Sequence, residues 1–411
     1  MAELKQKDLK AILKDINKKF GDGAAQIGVN KKSVSKFSLG TPSLDYMTYC
    51  SIPEGSWIEL SGAEHSGKTL LSYLIAADYI RKESKKPEEE RRHIVFVDAE
   101  GTADPEWAYT STHYDMNDST IQTYYIPGVG QSAEQLFDIC RDFAASGQIG
   151  LIIFDSLTAI APQQNNNESF EKKDMGGISK PLADFVKRCT GLFNKNKTTF
   201  IGINGSITNI GGYGNPETTG GGTYYRRACS LRLRVRKGKY FDEDGNELTN
   251  SAENPAGTIL EVALLKSKFC RGDRRLGITH LNYRKGIDIL WDTIDMAINI
   301  GFIDDSTQGS FKFVDPDTGE YLTDENGEVL KVRGRKNLKP YFEEHPDLWK
   351  RMYDKIYEKI AIKDDMSIKS FEEVLGINMY EKYGAMDGDE DIEINSNNDN
   401  EEEFDGESNA N

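Results

Sequence analysis

The stretch that most restricts how this chain can fold is GAEHSGKTL, residues 62–70. It matches GxxxxGK[ST], follows the apolar run WIELS and precedes the helical segment LLSYLIAADYI. A Gly-rich loop between a strand and a helix is the setting in which such a sequence cradles phosphates, because loop amides and the helix N-terminus supply the donors. In this reading Gly62, Ala63, Glu64, His65, Ser66, Gly67 and Leu70 line a nucleotide. Lys68 reaches the β and γ oxygens, and the Thr69 hydroxyl faces Mg²⁺.

The surrounding pattern agrees with that demand. The runs WIEL (57–60), IVFVD (94–98), LIIFD (151–155), FIGIN (200–204) and ILEVALLK (259–266) alternate with amphipathic segments. SAEQLFDICRDF (132–143), opening on Ser132 and Gln135 as a capping box, and KPLADFVKRCTGLF (180–193) predict helices. The alternation predicts an α/β core over residues 36–285, a mostly parallel sheet with helices on both faces.

Ahead of the core, Leu9, Ile12, Leu13, Ile16 and Phe20 fall at helical spacing, with Gly21 as a stop. So short a helix is not stable alone and must dock on its own chain or a neighbour, which makes residues 1–35 a candidate oligomerisation element. Beyond residue 286, DTIDMAINIGFI (292–303) and PYFEEHPDLWKRMYDKIYEKI (340–360) predict helices. FVDPDTGEYLTDENGEVL (313–330) predicts hairpin strands, so residues 286–386 form a small α+β domain. FDEDGNEL (241–248) lacks the spacing and final Glu of a calcium loop and predicts a hairpin turn.

The net charge of −16 argues at first against an anionic partner. Eleven of the 67 acidic residues, and no basic one, lie in 387–411; without them the charge falls to −5. The body can therefore carry basic faces, and the tail reads as a solvated, disordered segment that either aids solubility or competes with anionic ligands. No stretch approaches the ~18 apolar residues of a membrane span. The five cysteines, Cys50, Cys140, Cys189, Cys229 and Cys270, are scattered without a CxxC, which suits a reducing compartment and argues against structural zinc. A cytoplasmic protein is expected.

Two further acids suit nucleotide chemistry. Asp155 closes LIIFD, where a strand-end carboxylate beside a phosphate loop holds Mg²⁺ through water. VFVDAEG (95–101) offers Asp98 and Glu100 past another strand, and Glu100, further beyond the strand end, is the better candidate to align water for hydrolysis. A helix N-cap would account for such acids equally on spacing alone. The arginines of SLRLRVRK (230–237) alternate with Leu231, Leu233 and Val235, a half-buried strand whose basic face is either solvated or a DNA contact.

Further segments carry a family likeness. NKKFGDGA (17–24), LGTPSLD (39–45), GAEHSGKT (62–69), VDAEGTADPEWA (97–108), IIFDSLTAIAP (152–162), GNPETTGGG (214–222) and LKSK (265–268) occur in this order. In them, over roughly residues 8–360, the chain resembles the RecA family of homologous recombinases, bacterial and phage-encoded. GNPETTGGG is the most specific, since generic P-loop ATPases lack it. The resemblance implies a RecA-like ATPase core, ATP and Mg²⁺ as cofactors, and helical filaments on single-stranded DNA that pair with a homologous duplex. It implies single- and double-stranded DNA and further copies of the chain as partners, with single-strand-binding and mediator proteins beside them, and no membrane.

Residue by residue, the resemblance implies Glu100 as general base with Lys68 as catalytic partner, and Thr69 and Asp155, with Ser156, as the metal shell. Asp104 and Trp107 contact adenine, and Lys266 and Lys268 reach the γ-phosphate of a neighbouring subunit; a solvated strand end explains these lysines equally on spacing. It places DNA-binding loops at about 163–178 and 205–219, with Met175 and Gly176 in the first, Ile210 as the apolar wedge of the second, and Lys180, Lys187, Gly221, Gly222 and Arg226 beside them. The chain departs from the family at Gly205, where a Gln that senses the γ-phosphate is usual; Asn204 and Ser206 are candidate substitutes. A hexameric helicase sharing the fold is the alternative function, and an ATP-dependent scaffold without DNA binding a third.

Overall fold

The computed structural model describes residues 9–21, 24–27, 35–49, 52–163, 177–208, 217–249 and 251–362. Helix α1 (Leu9–Phe20) ends where expected, at Gly21 with φ +102°, and Asn17 closes the following turn by exchanging hydrogen bonds with the Ala25 backbone at 2.8 Å. None of its residues is buried.

The described residues from 35 to 362 belong to one compact unit. A two-stranded ribbon, β1 (Lys36–Phe37) and β2 (Ile52–Pro53), flanks α2 (Pro42–Thr48). The core then runs β3 (Trp57–Gly62), α3 (Lys68–Ser84), β4 (His93–Asp98), α4 (Pro105–Thr112), β5 (Thr123–Pro127), α5 (Ala133–Ala145), β6 (Ile149–Asp155), α6 (Ser179–Lys195) and β7 (Thr199–Thr208). It continues through β8 (Glu217–Thr219), α7 (Gly222–Ala228), β9 (Leu231–Phe241), β10 (Glu247–Leu248), β11 (Gly257–Ser267), β12 (Leu276–Asn282) and β13 (Gly286–Ile287). In space the order is β13-β12-β11-β9-β3-β7-β6-β4-β5. Neighbours from β9 to β5 are parallel, and β11 to β13 extend that sheet in antiparallel fashion.

The near-continuous apolar strands follow from covering both faces. Ile94 and Phe96 of β4 join the cluster beneath α3, with Ile58, Leu60, Leu71 and Ile75. Their alternates Val95 and Val97 join the cluster beneath α5 and α6, with Leu136, Phe137, Phe185 and Phe193. Phe137 and Phe185 stack at 4.5 Å, and Trp57 stacks on Phe193 at 4.8 Å while its indole N–H donates to Thr190 Oγ1 at 3.0 Å. The capping box of α5 is present in full.

The C-terminal part holds α8 (Ile289–Asn299), the antiparallel sheet β14 (Ile303–Thr307), β15 (Ser310–Phe313) and β16 (Lys331–Arg333), then α9 (Leu338–Glu344) and α10 (Pro346–Ile362). Two expectations need correction. The helix expected over 292–303 stops at Asn299, because Gly301 adopts φ +81° and Ile303 opens β14. The single helix expected over 340–360 is two, broken at His345 ahead of Pro346, whose ring disfavours α geometry in the preceding residue. This part is pinned to the core by Asp292, which accepts from Thr279 Oγ1 at 2.5 Å and from the His280 backbone N–H at 3.1 Å. Burial raises the pKa of the Asp292 carboxyl; burial would lower that of His280, but the Asp292 hydrogen bond and charge more than offset it.

Candidate nucleotide and nucleic-acid sites

Strand register builds the first site. Gly62, ending β3, lies beside Gly205 of β7, and Asp98, ending β4, lies beside Asp155, ending β6. Ligands of parallel sheets bind beyond the carboxyl ends of the strands. There a cleft of about 840 Å³ is lined by residues including Glu64 to Leu70, Glu100, Trp107, Asp155 and Gly205.

The phosphate loop is shaped by its glycines. Gly67, at φ +94°, precedes the first turn of α3, and a Cβ there would lie 2.7 Å from Leu260 Cδ2. A Cβ on Gly62 would lie 2.3 Å from the Val235 carbonyl oxygen, so β9 approaches too closely for any side chain. Lys68 Nζ donates to the Ala63 carbonyl at 2.6 Å, folding back over the loop it serves. Burial pulls its ammonium pKa below the ordinary lysine range, partly countered by Asp155, Glu100 and Glu64. Thr69 Oγ1 donates to Asp155 Oδ2 at 2.7 Å. Burial pushes the Asp155 carboxyl up to about 6, with Glu100 and Asp98 adding to the rise and Thr69 and Lys68 opposing it.

The structure separates the two acids that spacing left close. Asp98 is buried and accepts four hydrogen bonds, from the amides of Gly101, Thr102 and Ala103 and from Tyr125 Oη, at 2.7 to 3.2 Å. It organises the loop after β4 and has no lone pair to spare for water. Glu100, exposed at the cleft, takes one hydrogen bond, from Ser156 Oγ at 2.5 Å. Asp104 N-caps α4 by accepting from the Trp107 amide at 3.0 Å, and Trp107 lines the cleft. Sequence reasoning missed Thr158, Lys237, Thr258 and Tyr283 on the cleft wall. Only Thr158 carried a signal, as a polar residue three places beyond Asp155.

Lys266 and Lys268 sit elsewhere. Lys266 Nζ donates to the carbonyls of Arg226 and Arg227 at 3.0 and 2.8 Å, and Lys268 Nζ to that of Ala228 at 3.2 Å. Within one subunit they cap the C-terminus of α7, where cations offset the helix dipole. Each ammonium has three N–H donors, so these contacts exhaust neither.

Of the expected DNA residues, Met175, Gly176 and Ile210 lie outside the described residues, as does the acidic tail. Lys180 and Lys187 are exposed on α6 and seven residues apart, near two turns, hence on one face. Lys187 Nζ lies 5.0 Å from the Tyr224 ring and 3.7 Å from Asp184, and Arg226 donates to Thr223 Oγ1 at 3.4 Å. The structure thus gathers Lys187, Tyr224 and the start of α7. Gly221 and Gly222 have a packing role too: a Cβ on either would press on Leu182 or Ser179 of α6. On the basic strand, Arg232 is paired with buried Glu59 and is not a surface cation in waiting.

The sheet, with its phosphate loop after a central strand and a carboxylate ending a neighbouring one, defines a P-loop ATPase core. Known proteins narrow the class. The RecA N-terminal domain family matches residues 7–288. Protein RecA of Mycoplasma mobile is 28% identical over 368 residues, spanning 88% of this chain and 99% of that protein. Protein RecA of Aquifex aeolicus is 28% identical over 376 residues, 90% of this chain and 97% of that protein. Protein RecA of Staphylococcus aureus is 27% identical over 364 residues, 88% and 94%. The chain belongs to the RecA family. No helix among the described residues is long and apolar enough to cross a membrane.

Proposed function

We propose that the chain is a RecA-type recombinase: a DNA-dependent ATPase that forms helical filaments on single-stranded DNA and catalyses homologous pairing and strand exchange. The observation that carries this is the likeness to RecA proteins along 88% of the chain, with Lys68, Thr69, Glu100 and Asp155 converging on one cleft. The likeness reaches past the ATPase core, which does not favour the helicase alternative.

ATP occupies the cleft with its phosphates on the amides of residues 62–70 and Lys68, and its base beside Trp107 and Asp104. Thr69 and Asp155 fit a shared Mg²⁺, because the Asp155 carboxyl is already crowded by two other acids and a hard dication relieves that crowding. Among the described residues no three His, Cys, Asp or Glu side chains could hold a metal alone, so Thr69 and Asp155 would hold Mg²⁺ together with a bound nucleotide. When bound, Mg²⁺ supplies neutralisation of charge on the β and γ oxygens. Glu100 orients the attacking water and accepts its proton.

The domain reading is an oligomerisation helix at 1–35, the core at 36–285, a small domain at 286–386 and an acidic tail at 387–411. Filament assembly brings Lys266 and Lys268 to a neighbour's nucleotide. DNA meets Lys180, Lys187, Arg226 and the loops about 163–178 and 205–219. Electron microscopy with an ATP analogue and single-stranded DNA tests this: helical filaments are expected, whereas closed rings or dispersed monomers overturn it.

A further inference from the structure

A chain of hydroxyls runs from Glu100 to the stem of the β7–β8 hairpin. Ser156 Oγ donates to Glu100 Oε1 at 2.5 Å and lies 2.9 Å from Thr158 Oγ1. A serine hydroxyl has one proton, and the carboxylate takes it. Thr158 therefore donates to Ser156, and the chain has a direction: Thr158 to Ser156 to Glu100.

The far end of that chain lies beside the stem, close to both strands. Cβ atoms built on Gly205 and Gly220 would find Thr158 Cγ2 at 3.5 and 3.4 Å. These two glycines flank the Ser206–Thr219 pair, and Asn204 Nδ2 links the strands by donating to the Gly220 carbonyl at 3.0 Å. The same amide also donates to Glu59 Oε1 at 2.9 Å, and Asn204 is fully buried, so it cannot itself turn toward the cleft. Gly205 has no side chain to extend there. Thr158, by contrast, is exposed and lines the cleft with Glu100, Gly205 and Ser206.

We propose that Thr158 is a positioning residue that passes the state of the β7–β8 stem to Glu100 through Ser156. Thr158 faces both strands at once, and a Cβ at either 205 or 220 would just reach its methyl group. A threonine is stiff about χ1, so a shift of the stem moves it between discrete rotamers and makes or breaks the Thr158–Ser156 bond. That in turn fixes or releases the orientation of the Glu100 carboxylate. A misplacement of ~1 Å at such a group costs about 100-fold in rate. The proposal rests on the reading of Glu100 as the base. It answers what stands in for a side chain at 205: not the buried Asn204 amide, but a hydroxyl three residues past the end of β6.

The test compares T158V, which keeps the shape and loses the hydroxyl, with T158S, which keeps the hydroxyl. Steady-state ATP hydrolysis is measured with and without single-stranded DNA, with E100Q in parallel. T158V should lower DNA-stimulated kcat by about fivefold or more while leaving KM for ATP within about twofold, and T158S should restore most of the rate. An unchanged ratio of stimulated to basal rate in T158V overturns the proposal. So does a T158S protein as impaired as T158V, since packing alone would then explain both. A fully active E100Q would remove the assignment of the base and the relay with it; an inactive E100Q beside a normal T158V removes the relay alone.

Discussion

Replacing Glu54 by Gln tests the electrostatics that hold the end of the β1–β2 ribbon to α3. Glu54 and Lys82 are each only 6% exposed. Lys82 Nζ meets Glu54 Oε1 at 2.5 Å, and Arg92 Nη2 meets Oε2 at 2.9 Å. Burial alone would raise the Glu54 carboxyl, but Lys82 and Arg92 outweigh it and hold it at about 2, against an ordinary 4.5. A depressed carboxyl contributes stability that is complete above pH 4.5 and lost as pH falls through about 2. At 1.36 kcal/mol per pH unit, this contribution is about 3 kcal/mol. Burial also lowers the Lys82 ammonium, so the pair as a whole contributes less than the carboxyl's share. Removing one partner of a buried pair costs about 3–5 kcal/mol, because a charge is stranded. The lower end applies here, since Lys82 keeps Ser35 Oγ and the Lys36 carbonyl at 3.0 and 3.1 Å. Urea unfolding at pH 7 should show E54Q less stable by about 3 kcal/mol. The gap to wild type should narrow as pH drops from 5 toward 2. A gap under about 1 kcal/mol at pH 7, or one that does not vary with pH, would refute the reasoning.

E100Q should keep ATP binding, because the amide oxygen can still accept from Ser156, and should lose about 10²- to 10⁴-fold in hydrolysis; nucleotide titration beside steady-state turnover checks both. G205Q should raise the ratio of DNA-stimulated to basal hydrolysis by about twofold or more. A Cβ there meets Thr158 at ordinary contact distance, so the side chain fits, and an unchanged ratio would remove that idea. K187A should weaken single-stranded DNA binding and flatten its salt dependence by close to one counterion, measured by fluorescence anisotropy at several salt concentrations. An identical salt slope would show that Lys187 meets no phosphate.

Much of the fold was legible in the sequence because its signals are local. The phosphate loop, the Ser132 capping box, the alternation along β9 and the stop at Gly21 each follow from neighbours within a few residues. The same locality explains the errors: no periodicity marks where α8 yields to β14. Spacing favours Glu100 over Asp98 but leaves a helix N-cap as an equal account of such acids, and only the hydrogen bonds of the folded loop separate their roles.

Tertiary structure decided what depends on register and approach between distant segments. Pairing of β3 with β7 set Gly205 beside Gly62, and folding of the loop after β4 satisfied Asp98 and left Glu100 at the cleft. Packing placed Lys266 and Lys268 on the end of α7 and Thr158 between Glu100 and the hairpin stem. Sequence alone determined which chemistry the chain carries, because residue types at short spacing define a phosphate loop. Which acid stands at the cleft and which hydroxyl adjoins it is a matter of ångströms between strands far apart in the chain, and only folding sets those.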